Sequence, residues 1–243
     1  MPPPHTSAVA PAPNATSNGL VNWRIAAWQR LRCHAVLKTL GVCGFMWVFF
    51  TAYFYLLRQP ASGVTVMPLT AFDSAVPFNP HALWPYVSLW VYVSLPAALL
   101  STLRQLLAYG AWVGALCAIG LLCFYVYPTA VPAMVLPVDV AKYPGFAVLQ
   151  GVDESGNAFP SLHVATAVFS ACWIHHLLHR LGAPARLRGL SGVWVLLIVW
   201  STLATKQHVL LDALAGAALG LSVAWASLRW WRRQPGLHGS TGG

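Results

Sequence analysis

Charge is what this chain has least of. Only 8% of its 243 residues are Asp, Glu, Lys or Arg, and only five are acidic. An ordinary soluble domain carries about 25%. Hydrophobic residues make up 58%, and mean hydropathy is +0.62. A soluble fold cannot hide that much apolar surface, so an integral membrane protein is expected. Cysteine is sparse as well. Cys33, Cys43, Cys117, Cys123 and Cys172 lie in or beside apolar runs without a C-x-x-C pair. That pattern reads as small core residues and excludes a zinc or disulfide framework. Residues 1–22 are rich in Pro, Ala, Ser and Thr and contain no apolar h-region. The first apolar segment is therefore expected to act as the insertion signal.

What is abundant is long apolar runs. A span needs about 20 residues. Six runs qualify: 36–57, 83–102, 108–127, 162–181, 189–206 and 209–228. The expected fold is all-α, a polytopic six-helix transmembrane bundle over residues 35–232. Residues 1–34 are expected to be a disordered cytoplasmic tail and 233–243 a disordered C-terminal tail. The last two runs are joined by almost nothing, so a tight hairpin is expected at 205–208. Twelve Trp and eight Tyr suit the membrane–water boundary. Gly216 and Gly220, with Ala213 and Ala217 nearby, predict close helix packing.

The few charges set an orientation. In a six-span layout Arg24, Arg30, Arg32, Lys38, Arg104, Arg180, Arg186, Arg188, Arg229, Arg232 and Arg233 share one side. Only Arg58, Lys142 and Lys206 fall on the other, with or near Asp73, Asp139, Asp153, Glu154 and Asp212. The positive-inside rule then makes both termini cytoplasmic. The net charge of +9 is a topology signal and calls for no nucleic-acid partner. The loops 58–82 and 128–161 and the turn at 205–208 face a periplasm, lumen or extracellular space. The sequon Asn14-Ala15-Thr16 falls on the cytoplasmic side, where it is expected to be idle.

Two polar clusters stand on that outer face. One is Asn157-Ala158-Phe159-Pro160-Ser161-Leu162-His163, at the mouth of the fourth run. The other is Thr205-Lys206-Gln207-His208, with Asp212 one turn further on. Residues four apart stack on one helix face, so Asp212 is expected to orient His208. That leaves the other imidazole nitrogen as a nucleophile or base. The alternative is a His–Asp bond that merely ties helices together. Pro160 suits a first helical position, and a helix N-terminus can hold a phosphate beside His163.

These residues resemble a known family. PSLH at 160–163 is similar to the P-S-G-H motif of the type-2 phosphatidic acid phosphatase superfamily. Ser201-x6-His208-x3-Asp212 resembles its S-R-x5-H-x3-D motif. NAFPSLHVA, TKQHVLLDALAG, FDSAVPFNPHALWPYVSLW and YPTAVP look like the inositol phosphorylceramide synthase branch and its bacterial relatives. The resemblance covers residues 67–220. It departs from the pattern in three places. No K-x6-R-P motif is present, Thr202 stands in place of the motif Arg, and Leu162 replaces the motif Gly.

The resemblance implies a two-step reaction on a membrane lipid phosphate. His208 would attack phosphorus and form a phosphohistidine, oriented by Asp212. His163 would be general acid and then base. Lys206, Ser161, Asn157, Gln207 and Lys142 would hold the phosphate in place of the missing guanidinium groups. Water as acceptor gives a phosphatase, and a lipid alcohol gives an inositolphosphotransferase or similar head-group transferase. No cofactor or metal is called for. Oligomeric state is not readable.

Other readings are weaker. His175, His176 and His179 form HHxxH, but at about 1.5 Å per residue they lie roughly 18–24 Å beyond His163. Ser161, His208 and Asp212 as a protease triad would leave His163 without a role. A transporter or scaffold on the same helices would not need both His and the Asp.

Overall fold

The computed structural model describes residues 15–133, 156–234 and 237, with side chains from residue 23 on. Asp139, Lys142, Asp153, Glu154 and Asn14 lie outside the described residues. The protein is mostly helical. Helices run over Ala15–Arg32 (α1), Ala35–Arg58 (α2), Ala71–Ala75 (α3), Leu83–Leu99 (α4), Leu103–Val126 (α5), Leu162–Arg180 (α6), Ala185–Ala204 (α7) and Leu210–Arg232 (α8). Two short strands, Thr65–Val66 (β1) and Thr129–Ala130 (β2), pair in parallel.

Five helices are long and apolar enough to cross a membrane: α2, α4 with its preceding turn, α5, α7 and α8. This is the make-up of an integral membrane protein. The expected sixth span forms helix α6, but it is not among those five. The reason lies in its position. His163, Thr166, Ser170, His175, His176, His179 and Arg180 lower its hydropathy. It needs little lipophilic surface because its neighbours bury it. Val164, Ala165, Ala167, Phe169 and Trp173 are at most 1% exposed. By contrast Trp47, Trp84, Leu196 and Trp225 on the outer helices are strongly exposed, as lipid-facing residues should be.

Helix α6 is the axis of the core. The Trp173 indole N–H donates to Ser227 Oγ at 3.1 Å and its ring meets Trp231 edge-on at 4.8 Å. An indole N–H needs such a partner when buried. Helix α8 lies against α6 at backbone distance. A Cβ on Gly216 would overlap the Ser161 carbonyl, and one on Gly220 would overlap the Ala165 carbonyl. The Gly216–Gly220 spacing is thus a packing seam.

Two expectations for the termini are corrected. Residues 15–32 are helical rather than a disordered tail. Over Trp23–Arg32 the chain has no Pro or Gly and several strong helix formers, which the Pro-rich composition upstream obscured. Lys38 Nζ ties the ends of α1 and α4 together, donating to Arg30 O at 2.6 Å and Ala98 O at 2.8 Å. At the other end, Leu237 is buried and its carbonyl accepts from Gln105 Nε2 at 2.8 Å. Gln105 also closes a capping box with Thr102 at the start of α5, so Leu237 is anchored to the beginning of that helix.

The loops that carry the motifs gather at one end of the bundle. Met67, Val131, Ala158 and Val209 form a small buried cluster there, with Phe159 packed against it. Phe159 N donates to Thr129 Oγ1 at 2.8 Å, and Ala158 N to Thr129 O at 3.2 Å. Strand β2 thereby fixes the approach to α6.

Candidate active site

Ser161 starts α6. Its Oγ accepts from Val164 N at 3.2 Å, the usual way to satisfy a free amide at a helix start. Its own N–H donates to Asp212 O at 3.0 Å, and the residue is fully buried. Pro160, expected at the first helical position, sits one residue before this cap and follows a cis Phe159–Pro160 bond. The cap directs His163, in the first turn, toward the end of α8. In this structure the Ser161 hydroxyl caps α6 itself, while its amide joins α6 to α8.

The turn between α7 and α8 supplies the other half. Gln207 N and His208 N both donate to Thr202 O at 3.1 Å. His208 precedes the helix instead of lying on it, because α8 begins at Leu210. The expected stacking on one helix face is corrected accordingly. Asp212 reaches back from the third helical position. Its carboxylate accepts from Val209 N at 3.0 Å and 3.3 Å. The same carboxylate lies 3.3 Å from His208 Nδ1, a charge contact rather than an aligned hydrogen bond. Asp212 is fully buried, and a first-turn acid is favourable at a helix N-terminus.

The two histidines meet. His163 Nδ1 lies 3.2 Å from His208 Nε2, and the ring centroids are 5.3 Å apart. On its far side His163 Nε2 lies 3.0 Å from the Tyr86 hydroxyl. Tyr86 and Trp90, one turn apart on α4, bracket the His163 ring at 5.0 Å and 6.1 Å. So His163 and the His208–Asp212 pair, 45 residues apart in sequence, are brought into one line.

The predicted phosphate ligands fare differently. Lys206 has φ 61° and folds away from the dyad; its ammonium donates to Asp73 O at 2.9 Å and Val76 O at 2.5 Å. Partial burial lowers its pKa below the ordinary lysine value, partly offset by the nearby Asp73 carboxylate. In this structure the ammonium clamps the end of α3. Asn157 has φ 52°, is buried, and donates through Nδ2 to Tyr53 O at 3.1 Å. That bond ties its loop to α2, although Asn157 still borders the cavity described below. Gln207 is half-buried in the turn. Thr202, in the place of the motif Arg, is buried and bonds Val199 O at 2.8 Å.

A cavity of about 810 Å³ runs from the dyad between α2, α4, α5 and α6. His163, His208 and Asn157 border it, and Lys38 does so as well. Lys38 and Tyr53 lie on α2 some four turns apart, so the cavity extends about 22 Å along the helix. Between these polar residues the walls are mostly apolar, with Phe45, Phe49, Trp90, Val93, Leu106 and Val113 beside a few hydroxyls such as Thr166 and Ser170. The far histidines, His175, His176 and His179, lie in the other half of α6, where His176 meets Trp173 edge-on. Among the described residues, no three His, Cys, Asp or Glu gather as metal ligands.

Residues 137–235 match the PAP2 superfamily model. The matched segment contains His163, His208 and Asp212. Over this segment, less than half of its length, the chain is similar to that superfamily. No curated protein and no solved structure matches the chain.

Two residues of the site carry no motif signal. Tyr86 reaches His163 across 77 residues and Asp73 reaches Leu210 across 137. Both lie within the stretch 72–90 quoted above for its resemblance, but nothing local marks their partners.

Proposed function

We propose that the protein is an integral-membrane lipid phosphoesterase of the phosphatidic acid phosphatase type, working through a phosphohistidine. One observation carries the reading. Two imidazoles face each other at 3.2 Å, one backed by a buried carboxylate, at the wall of a long apolar cavity. The cavity accommodates a lipid tail while the dyad meets the head-group.

In the first step His208 Nε2 gives its lone pair to phosphorus, and the P–O bond to the lipid breaks. The departing oxygen takes a proton from Nδ1 of His163 in its imidazolium form, which leaves the ring neutral with its hydrogen on Nε2. In the second step His163 Nδ1 removes a proton from the acceptor, whose oxygen attacks phosphorus. The P–N bond breaks and its electrons return to Nε2. Asp212 stabilises positive charge on the His208 ring in both steps. Phosphate must enter between the two rings, so the 3.2 Å contact opens when substrate binds.

A second reading has its own support. If a lipid alcohol shares the apolar cavity with the substrate, the same steps transfer a head-group such as inositol phosphate. The likeness of residues 67–220 to the inositol phosphorylceramide synthase branch favours it. The distribution of Lys and Arg supports a reading with both termini in the cytoplasm and the dyad on the opposite face.

The test uses the purified protein in detergent micelles. Labelled phosphatidic acid, a polyprenyl diphosphate, and phosphatidylinositol with and without ceramide are offered in turn. Release of phosphate that is lost in His208→Ala identifies the hydrolase. A new phospholipid that appears only with acceptor identifies the transferase. Equal turnover by His208→Ala and the unaltered protein overturns both.

A further inference from the structure

The line of contacts through the dyad does not end at His163. It continues to Tyr86, on a different helix, and the direction of each proton along it follows from one fixed point. The buried Asp212 carboxylate is an acceptor only. The His208 nitrogen beside it, Nδ1 at 3.3 Å, carries the hydrogen, because a bare lone pair there would face the negative carboxylate even though the contact is not an aligned hydrogen bond. In the neutral ring that leaves Nε2 with a lone pair. His163 Nδ1, 3.2 Å away, must then be the donor. The neutral His163 ring is thereby fixed with its bare lone pair on Nε2. That nitrogen faces the Tyr86 hydroxyl at 3.0 Å, and a phenol O–H can donate to it.

From this we infer that Tyr86 is the positioning residue for His163. It keeps Nδ1 as the nitrogen that exchanges protons with the reacting phosphate ester. The inference rests on the phosphohistidine reading for its catalytic consequence, but not for the tautomer itself.

A hydroxyl suits this task better than a carbonyl or an ammonium. It donates to Nε2 when His163 is neutral at that position. It accepts from Nε2–H when the ring is an imidazolium, or when Nδ1 has just given up its proton. The ring can thus pass through every protonation state of the cycle without turning. Tyr86 is only 2% exposed, so water does not readily substitute. Trp90 contacts the same ring from one turn further along α4 and limits its rotation. Without the hydroxyl, His163 would be free to place its hydrogen on Nε2. Its Nδ1 lone pair would then oppose the lone pair of His208, and the ring would swing out of line.

The test compares the full-length protein with Tyr86→Phe, which keeps the packed ring and removes only the oxygen. Nitrogen-15 spectra of histidine-labelled protein in micelles report the tautomer, with His163→Gln used to assign the signal. The expected result is a neutral His163 carrying hydrogen on Nδ1 in the unaltered protein. In Tyr86→Phe the population shifts toward Nε2–H. Turnover should fall roughly 10-fold, as for loss of one buried hydrogen bond, with the larger change in kcat and little in KM. The pH profile should also move on the limb set by His163. An Nε2–H tautomer in the unaltered protein overturns the inference. So does Tyr86→Phe with unchanged spectra and pH profile. Because the spectra need no substrate, the tautomer is decided even if no lipid is turned over, an outcome that would count against the phosphoesterase reading alone.

Discussion

The Asp73 carboxylate accepts a hydrogen bond from the Leu210 backbone N–H at 2.7 Å. Its other oxygen accepts from Thr70 N and Thr70 Oγ1 at 2.8 Å and 2.7 Å. One buried acid thus caps two helices, α3 and α8, and holds the outer loop against the turn that carries His208. Asn79 N to Ala204 O, at 2.9 Å, adds a second tie between the same segments.

Asp73→Ala removes an acceptor from two buried or half-buried backbone amides. A loss of about 2–3 kcal/mol in stability is expected, since each amide is bonded to a charged group. Activity should fall as well, because Leu210 begins the helix that presents Asp212. Asp73→Asn should recover part of both. Thermal unfolding in micelles, read beside turnover, checks the order: unaltered, Asn, Ala. An Ala variant as stable as the unaltered protein would show that the clamp is dispensable.

Lys206 gives a prediction with a contrast built in. Its ammonium is spent on two carbonyls, and its backbone is left-handed. Lys206→Ala loses the clamp and keeps a Cβ in a conformation that costs about 1–2 kcal/mol. Lys206→Gly loses the clamp but removes that cost. The Gly variant should therefore unfold at the higher temperature of the two. Both should show lowered thermal stability without a selective rise in KM. A normal unfolding temperature with a raised KM would return Lys206 to the phosphate.

The residues show why some of this was legible in advance and some was not. Apolar runs of about 20 residues declare themselves, so the positions of α2, α5, α7 and α8 were readable to within a few residues. Helix α6 was placed correctly, yet its polar composition belongs to a helix sheathed by others, which a span count cannot see. His163, His208 and Asp212 were readable as a group because two short motifs carry them. The clamp made by Lys206 was not readable, because a cation next to a histidine suggests a phosphate, while the carbonyls it bonds are 130 and 133 residues away. Tyr86 was invisible for the same reason. Its partner is set by the crossing of α4 and α6, not by any spacing along the chain.

Gly216 tests the seam between α6 and α8. A Cβ there would meet the Ser161 carbonyl, which is backbone and has no rotamer to yield. Gly216→Ala should cost about 1–3 kcal/mol through overpacking. It should also separate His163 from His208, since Ser161 starts the helix of one and bonds to Asp212, the partner of the other. The expected result is a lower unfolding temperature together with a fall in kcat. Gly114, whose Cβ would meet nothing within 4 Å, supplies the control: Gly114→Ala should change neither.

Asp212→Asn separates the structural and chemical duties of one side chain. The amide oxygen can still accept from Val209 N, so the start of α8 should hold and the unfolding temperature should change little. The amide nitrogen, however, is a donor. Facing His208 Nδ1, it would favour the tautomer with hydrogen on Nε2, and the nucleophilic lone pair would be lost. A fall in turnover on the order of 10³–10⁴-fold is expected, the scale seen when an orienting aspartate is replaced in a serine–histidine–aspartate triad. His163→Ala should differ in kind. With a poor alkoxide leaving group it should lose about 10²–10⁴-fold. With a nitrophenyl phosphate ester, which leaves without a proton, His163→Ala should still form the P–N bond and then stall for want of a base. Acid-labile, base-stable phosphate on His208 should therefore accumulate in that variant and be absent from Asp212→Asn. Equal labelling of the two, or none in either with turnover retained, would remove the histidine nucleophile from the reaction.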